Sequence, residues 1–348
     1  MHRPRVQIGS CPSAIRWVTF TRCDIMSSMP RLLACSVLLF AGLAQAAVTI
    51  EKTPYDGWPN CYRISNGEVE LIVTTDIGPR IMRYAFVGGQ NLFVEFKEEL
   101  GGTGEKKWLG RGGHRLWAAP EDLHDTYALD NSPVKATIQG DVITLTEPVE
   151  KETGLQKEIV VKLAPSGSGV EVVHHIKNAG HKSRHMAPWA LTQMAPGGLA
   201  IAIFPPRGSH DQYLSPTNPL TMWAYTDFSD PRWTFTKKYI LLQMQPGNKV
   251  SQKTGLFNEH TAAAYLLGSD LFVKKTTADP KGEYPDFGCS YETYTADTFL
   301  EMETLGPLVD LKPGQTLTHV EHWALHKNVT LHAKTDEAID AALGQYLQ

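Results

Sequence analysis

Short runs of alternating apolar and polar residues fill the chain from Glu51 onward, and turn-forming residues separate them. The apolar positions of Val69–Val73 and Ile159–Leu163 recur at every second residue. This period is typical of strands that bury one face. Gly140-Asp141 lies between two such runs and predicts a tight hairpin. The pattern therefore predicts many antiparallel strands joined by short turns.

Two long segments lack this period of two residues, and the C-terminus has a helical period instead. Lys97–Asn131 and Pro205–Trp233 are irregular, and loops of this length are often functional. We expect both to lie over a binding face, although the aromatic residues of the second could equally form a cluster that fixes the loop. Helical spacing of apolar residues over 338–346 predicts a terminal amphipathic helix. With neither repeats nor an interdomain linker, a single all-β domain follows, either sandwich or barrel.

The N-terminus has the features of an export signal. Met29-Pro30-Arg31 precedes an apolar run over Leu32–Leu43, which is followed by Ala44-Gln45-Ala46. We expect cleavage after Ala46, so that 1–46 is an upstream extension plus signal peptide and 47–348 is the mature domain, periplasmic or secreted. The apolar run is too short to span a membrane, and no later segment is long and apolar enough.

Two cysteines, Cys61 and Cys289, remain in the predicted mature chain. An exported compartment would permit a disulfide. Two residues so far apart in sequence give no evidence of proximity, so separate buried thiols are an equal alternative.

Composition and motifs exclude several classes of function. The formal net charge is −4 without a cluster of basic residues, which argues against nucleic-acid binding. No G-x-S-x-G, Walker or dinucleotide-binding motif is present. The histidines lack the spacing of metal ligands on a strand, so neither a metal nor a cofactor is predicted.

The segment Arg111–Asp122, R-G-G-H-R-L-W-A-A-P-E-D, combines several chemistries of a polar ligand site. His114 can exchange a proton near neutral pH, and Arg115 offers a planar set of donors. Trp117 offers a flat apolar face for a sugar ring, and Glu121 can act as acid, base or hydroxyl acceptor. We interpret this segment as a site loop in which the glycine pair permits a turn or close approach to a ligand.

A second candidate lies in the late segment T-F-L-E-M-E-T-L-G-P-L. In a strand, Glu301 and Glu303 share one face with Phe299. Two partly buried carboxylates at this distance would raise at least one pKa, as a general acid or base requires. The alternative is a solvated outer face.

Five motifs along the chain carry a resemblance to a known family. They are G-W-P-N-C-Y-R-I-S-N-G-E-V-E-L-I-V-T-T-D-I-G-P-R-I, G-G-H-R-L-W-A-A-P-E, A-P-W-A-L-T-Q-M-A-P-G-G, W-A-Y-T-D-F-S-D-P-R-W and E-M-E-T-L-G-P-L. Together they resemble the DUF4380 family, which is similar to the galactose mutarotase-like group of proteins. The resemblance implies a large antiparallel β supersandwich with a sugar-binding concave face, here followed by the short C-terminal helix.

The resemblance also implies roles for particular residues. Glu303, in the Glu-Thr pair before the last strands, matches the catalytic base of mutarotases. Arg80 or Arg115 would be the early substrate-binding arginine. The stretch that should hold a general-acid histidine, Ala187–Thr192, has none, which leaves His114 as the acid. The remaining substrate-binding candidates in these motifs are listed here: Trp117, Glu121, Trp189, Trp223 and Asp227.

These inferences predict an exported protein that acts on a carbohydrate in a concave cleft, most simply a mutarotase-like epimerase. Two alternatives stay open: a glycoside hydrolase or polysaccharide lyase on the same fold, with Glu121 and Glu303 as the hydrolytic pair, or a carbohydrate-binding protein without catalysis. The central expectation is that His114, Arg115 and Glu303 line one cleft, walled by Trp189 or Trp223. The opposing expectation is a local Arg115–Glu121 ion pair with Glu303 facing water.

Overall fold

The computed structural model describes residues 47–347, which fold almost entirely into β-strands. The predicted signal peptide lies outside the described residues. The helical segments are a 3₁₀ turn at Lys97–Glu99 and the C-terminal helix Asp336–Leu347, while Pro285–Gly288 forms a turn in which Asp286 and Phe287 have positive φ. The strands are β1 Thr49–Tyr55, β2 Trp58–Ser65, β3 Val69–Thr74, β4 Arg80–Phe86, β5 Gly113–Ala119, β6 Lys135–Gln139, β7 Val142–Thr146, β8 Leu155–Leu163, β9 Val170–Asn178, β10 Arg184–Met194, β11 Leu199–Ile203, β12 Leu220–Met222, β13 Trp233–Phe235, β14 Tyr239–Gln243, β15 Gln252–Leu256, β16 His260–Leu267, β17 Asp270–Thr277, β18 Tyr291–Thr295, β19 Leu300–Leu305, β20 Val309–Leu311 and β21 Thr316–His326.

The strands form two antiparallel sheets. The first has the order β1-β2-β3-β4-β5-β10-β19-β18-β15-β12, and β20 pairs with the outer end of β10. The second has the order β13-β14-β11-β16-β17-β21-β9-β8-β7-β6. One large apolar core joins them, with Leu71 and Leu116 from the first sheet and Val161 and Phe272 from the second. The architecture is the predicted antiparallel sandwich.

The C-terminal helix covers the other face of the second sheet. Ile339 and Leu343 are fully buried against Ile201 and Leu241 of the sheet. Ala200 and Ala202 of the same strand point instead into the main core. The predicted helix is confirmed, and it explains why β11 is apolar on both faces.

The structure corrects the interpretation of Arg111–Asp122 as a loop. Most of the segment is strand β5, whose seven residues are all buried between β4 and β10. The glycine pair allows another segment of the protein backbone, rather than a ligand, to approach closely. Gly112 has a φ of 90°, and a Cβ there would lie 2.0 Å from the Val94 carbonyl oxygen. Only glycine fits such a position.

The second irregular segment, Pro205–Trp233, contributes both to an aromatic cluster and to the surroundings of a cleft. Phe228 packs edge-on against Trp233 and Phe235, with ring centroids 5.7 and 5.2 Å apart, which fixes this end of the loop. Trp223 and Tyr225 lie instead beside the cleft described below.

Cys61 and Cys289 are separate buried thiols rather than a disulfide. Among residues 47–347, no helix has the length and hydropathy needed to span a membrane.

Candidate active site

The register of three neighbouring strands places two of the predicted site residues on one face of the first sheet. Leu191 of β10 pairs with Arg115 of β5 on one side and with Glu303 of β19 on the other. Residues paired in this way point to the same face of a sheet, and their chain neighbours point to the opposite face. Arg115 and Glu303 therefore share the face that is turned away from the core.

This face holds a cleft of about 270 Å³ with a mostly aromatic wall. Its polar groups come from β5, β10, β15 and β19 and from the two long irregular segments. The lining residues are Trp108, Arg115, Trp117, Glu121, Tyr127, Trp189, Leu191, Gln193, Tyr225, Lys253, Tyr294, Phe299 and Glu301. Apolar walls with a few convergent polar groups are typical of small-molecule sites.

Glu303 lies fully buried on the cleft face of β19. Its Oε2 accepts hydrogen bonds from Trp189 Nε1 at 2.8 Å and from Lys253 Nζ at 3.0 Å. Its Oε1 has no hydrogen-bond partner in the described part of the chain. Glu303 is not one of the residues that line the cleft, but it is bonded to two that are, Trp189 and Lys253, and its second oxygen is left without a partner.

Lys253 links Glu303 to a second buried carboxylate, since its Nζ also lies 2.7 Å from Glu292 Oε2. Burial acts to lower the pKa of Lys253, but the charges of Glu292 and Glu303 outweigh it and hold that pKa above the ordinary lysine value. The ammonium also lies 4.9 and 4.6 Å from the ring centroids of Trp189 and Trp223. Lys253 is thus fully engaged by two carboxylates.

Glu301 lies two residues before Glu303 and lines the cleft directly. Its Oε1 accepts a hydrogen bond from Gln193 Nε2 at 2.9 Å. Burial, followed by the charge of Glu303, raises the pKa of Glu301 to about 7, although Arg115 and Lys253 act to lower it. The cleft therefore contains one carboxyl group that is partly protonated near neutral pH.

The guanidinium of Arg115 is held between two indole rings. Its Cζ lies 4.6 Å from the ring centroid of Trp108 and 4.2 Å from that of Trp117. The hydrogen bond from Nη1 to the Gly110 carbonyl is long, at 3.4 Å, and Nε has no partner in the described chain. Burial lowers the pKa of Arg115 to about 10, so the group stays charged near neutral pH.

Several of the other predicted site residues lie in or beside the cleft. Trp117, Trp189 and Glu121 line the cleft, and Trp223 approaches it through Lys253. Glu121 accepts a hydrogen bond from the Tyr127 hydroxyl at 2.5 Å rather than pairing with Arg115. The alternative of an Arg115–Glu121 ion pair with Glu303 in water is therefore wrong.

Arg80 and Asp227 do not line the cleft. Arg80 is fully buried, pairs with Asp130 at 2.7 Å and donates to the Gly110 and Gly112 carbonyls at 2.7 and 3.0 Å. It therefore holds the chain that leads into β5. Asp227 is exposed and accepts from the backbone and hydroxyl of Ser229, a local turn interaction.

His114 points into the sandwich, so the prediction that it shares the cleft is wrong. It pairs in register with Thr192, on the face opposite Arg115. Its Nδ1 lies 2.9 Å from Thr192 Oγ1 and its Nε2 lies 2.8 Å from His174 Nε2 of the second sheet. The assignment of His114 as general acid depended on a shared face and is withdrawn.

His114 belongs instead to a polar network between the two sheets, which we call the interior network. Glu321 lies at its centre and accepts from Lys274 Nζ at 2.9 Å, Trp323 Nε1 at 2.8 Å and the Thr304 hydroxyl. Thr304 also lies 2.7 Å from His319 Nε2. The network couples the sheets directly behind the strands that carry Arg115 and Glu303.

Part of this network has the composition of a metal site. The ligand atoms of His114, His174 and Glu321 lie within 4.8 Å of one another. The Lys274 ammonium already neutralises Glu321, and the two imidazoles hydrogen-bond to each other. A divalent cation would therefore have to displace a buried salt bridge, which the geometry does not favour. Asp122, His124 and Asp125 form a second such group at the surface.

The interior histidines predict that stability is lost in acid. Burial lowers the pKa of His114 below its usual range, that of His174 to about 4 and that of His319 to about 3. At these three histidines the unfolded chain therefore binds more protons than the folded chain below about pH 6.5, so their contribution to stability falls as the pH decreases. We expect the thermal midpoint to fall steadily between pH 7 and pH 5.

Thermal unfolding followed at a series of pH values checks this expectation. His175→Gln provides the control because His175 faces away from the interior and bonds only to Thr318. It should reproduce the pH dependence of the wild type. A thermal midpoint that stays constant down to pH 5 would contradict the account of the interior network.

Sequence reasoning did not identify Lys253, which lines the cleft, or Glu292, which pairs with Lys253. Glu292 had a weak signal, because the Glu-Thr pair at 303–304 also occurs at 292–293 and the two glutamates pair in register. Lys253 had no such signal, since a single lysine between polar residues is normal on a surface.

Solved structures with a similar fold include proteins described as mutarotase-like or as aldose 1-epimerases. A candidate aldose 1-epimerase from Klebsiella pneumoniae is 11% identical with a TM-score of 0.52, over 86% of this chain and 86% of that chain. A galactose mutarotase related enzyme from Lactobacillus acidophilus is 9% identical with a TM-score of 0.51, over 77% of this chain and 98% of that one. Neither a protein-family model nor a curated protein sequence matches the chain.

The protein therefore has the galactose mutarotase-like fold, an antiparallel β-sandwich with a short C-terminal helix. At these identities the likeness defines the fold and not the reaction, which belongs to the site. Membership of the DUF4380 family stays a prediction.

Proposed function

We propose that this protein is an exported sugar-active enzyme that interconverts the anomers of an aldose, and that it is a DUF4380 protein. The observation behind the proposal is the pair of buried carboxyl groups on one strand face, Glu303 and Glu301. Their surroundings differ: Glu303 accepts from Lys253 and Trp189, whereas Glu301 has a pKa of about 7. Two neighbouring carboxyl groups in different surroundings are suited to act as base and acid.

The proposed reaction needs only proton transfers. The free Oε1 of Glu303 takes the proton of the anomeric hydroxyl while the Glu301 carboxyl gives its proton to the ring oxygen, and the C1–O5 bond breaks. Rotation about C1–C2 presents the other face of the aldehyde. As the ring closes, Glu303 gives its proton to the aldehyde oxygen and Glu301 takes a proton back from the O5 hydroxyl, so neither carboxyl group is consumed. Trp117 and Trp189 offer apolar faces to the C–H side of the ring.

Anomer exchange by the mature protein, residues 47–348, tests this function. Magnetisation-transfer NMR on equilibrated aldoses and uronic acids should show exchange well above the buffer rate. The exchange should be lost on heat denaturation. An absence of acceleration across the whole panel would contradict the proposal.

The raised pKa of Glu301 predicts how this activity depends on pH. A general acid must be protonated, and burial with the neighbouring Glu303 charge raises the pKa of Glu301 to about 7. The turnover rate should therefore fall as the pH rises through about 7. Glu301→Gln should lower the rate about 10²–10⁴-fold and remove this alkaline limb. A wild-type limb that persists in Glu301→Gln would exclude Glu301 as the acid.

A non-catalytic carbohydrate-binding protein is the second candidate. The aromatic cleft favours it, because Trp108, Trp117 and Tyr127, which pack against one another in tilted and edge-on arrangements, would bind a sugar without any proton transfer. Calorimetric binding of a sugar without anomer exchange would support binding alone. Release of reducing ends or unsaturated products from a polysaccharide would instead indicate hydrolysis or elimination.

A further inference from the structure

Arg115 differs from the other buried arginines in the described chain by its lack of partners. Arg80, Arg111 and Arg232 each contact a carboxylate, at 2.7, 2.5 and 2.7 Å, and each donates to a backbone carbonyl at 3.0 Å or less. Arg115 is equally buried, at 3% exposed. Within residues 47–347 its one hydrogen bond is the 3.4 Å contact with Gly110, and its one carboxylate neighbour, Glu301, is 3.9 Å away.

The unused donors lie along one edge of the guanidinium. Nε has no partner, and Nη2 lies 3.9 Å from Glu301 Oε1, beyond hydrogen-bond distance. Nε and Nη2 form the side-on edge that binds two oxygens of one planar anion. The indole Nε1 of Trp108, which lines the same wall, is also a buried donor without a partner. The buried atoms of Arg115 and Trp108 that have no partner in the described chain are therefore donors.

The rest of the cleft has the opposite character. The unpartnered buried atoms Glu303 Oε1 and Gln193 Oε1 are acceptors, which suit sugar hydroxyl groups. A ligand that matches both walls has acceptor oxygens at one end and hydroxyl groups at the other.

We propose that Arg115 binds the carboxylate of a uronic acid, so that the substrate is an acidic sugar rather than a neutral aldose. The inference deepens the proposed function. It rests on that function only in calling the bound sugar a substrate. The cleft volume, about 270 Å³, suits a single sugar unit. Trp108 and Trp117 hold the guanidinium plane, so the ligand meets a preformed edge.

A single negative charge fits this cleft better than a phosphate dianion. Lys253, the other cation that lines the cleft, is already engaged by Glu292 and Glu303 at 2.7 and 3.0 Å. One guanidinium remains, which matches one carboxylate. A bound carboxylate beside Glu301 would also keep that carboxyl group protonated, as its proposed role as acid requires.

Isothermal titration calorimetry with matched sugar pairs tests the inference without requiring turnover. The pairs are glucuronate with glucose and galacturonate with galactose, and glucose 6-phosphate serves as the phosphate arm. We expect at least one uronate to bind about tenfold or more tightly than its neutral partner. Arg115→Gln should reduce this preference to about twofold or less, the effect of losing a charge-assisted pair of hydrogen bonds.

Two further variants make the result specific to the guanidinium edge. Arg207→Gln makes the same change of charge at an exposed arginine that stacks on Phe204, and it should keep the preference. Arg115→Lys keeps the charge without the planar edge and should lose most of the preference. It also serves if Arg115→Gln does not fold.

Three results would overturn the inference: equal affinity for both members of each pair, a preference that survives in Arg115→Gln and Arg115→Lys, or tighter binding of glucose 6-phosphate than of any uronate. Failure to bind any uronate would count in the same way. Uronate binding without anomer exchange would remove the enzymatic function and keep the inference. Exchange of neutral aldoses without a preference for uronates would keep the enzymatic function and remove the inference.

Discussion

Replacing Glu303 by Gln should lower the rate of anomer exchange by about 10²–10⁴-fold, the usual contribution of a positioned general base. The amide keeps the size of the side chain and can still accept from Trp189, but it cannot take a proton from a hydroxyl group. Lys253 retains Glu292 as a second carboxyl partner, 2.7 Å away. The main loss should therefore be in kcat, measured by exchange NMR with saturating sugar.

Glu121→Gln is the matched control for this substitution. Glu121 lines the cleft, and its replacement by Gln makes the same change of charge. It is bonded to Tyr127 at the rim, however, and lies on a different segment from Glu303. It should reduce exchange far less than Glu303→Gln. Comparable effects of both variants, with thermal midpoints near that of the wild type, would mean that Glu303 is not the base.

Replacing Glu321 by Gln should be the most destabilising single change in the interior network. Both Glu321 and Lys274 are fully buried, 2.9 Å apart. Removing one charge leaves the other buried without compensation, which typically costs about 3–5 kcal/mol. Urea denaturation of the mature protein should show a loss of this size in the free energy of unfolding.

The double variant Glu321→Gln with Lys274→Met separates charge from packing. Without the ammonium there is no uncompensated charge, so the double variant should be more stable than Glu321→Gln alone. A Glu321→Gln protein with wild-type stability would contradict the salt-bridge account. A double variant less stable than either single variant would show that packing rather than charge dominates.

The parts of the fold that followed from the sequence are those with a local period. Alternation predicted the strands around Val69–Val73 and Ile159–Leu163, and helical spacing predicted the terminal helix. In the same way, the period of two placed Glu301 and Glu303 on one face. Each of these inferences needed only residues that are neighbours along the chain.

The strand β5 was not recognised because it is buried on both sides. Arg115 and His114 are polar yet have almost no exposure, so apolar alternation is absent. Without the strand, the opposite directions of His114 and Arg115 could not be inferred, and His114 was placed in the cleft. The cleft contact between Lys253 and Glu303 depends on the pairing of β15, β18 and β19, over a separation of 50 residues. Contacts of this range come from the sheet order and not from any local pattern.

A crystal structure of the mature protein with a bound uronic acid would test the central claim most directly. We expect the anomeric hydroxyl within hydrogen-bond distance of Glu303 Oε1 and the ring oxygen near the Glu301 carboxyl group. The sugar carboxylate should lie on the Nε–Nη2 edge of Arg115. A sugar bound away from this cleft, or one in the cleft whose anomeric carbon lies far from Glu303, would contradict the proposed mechanism.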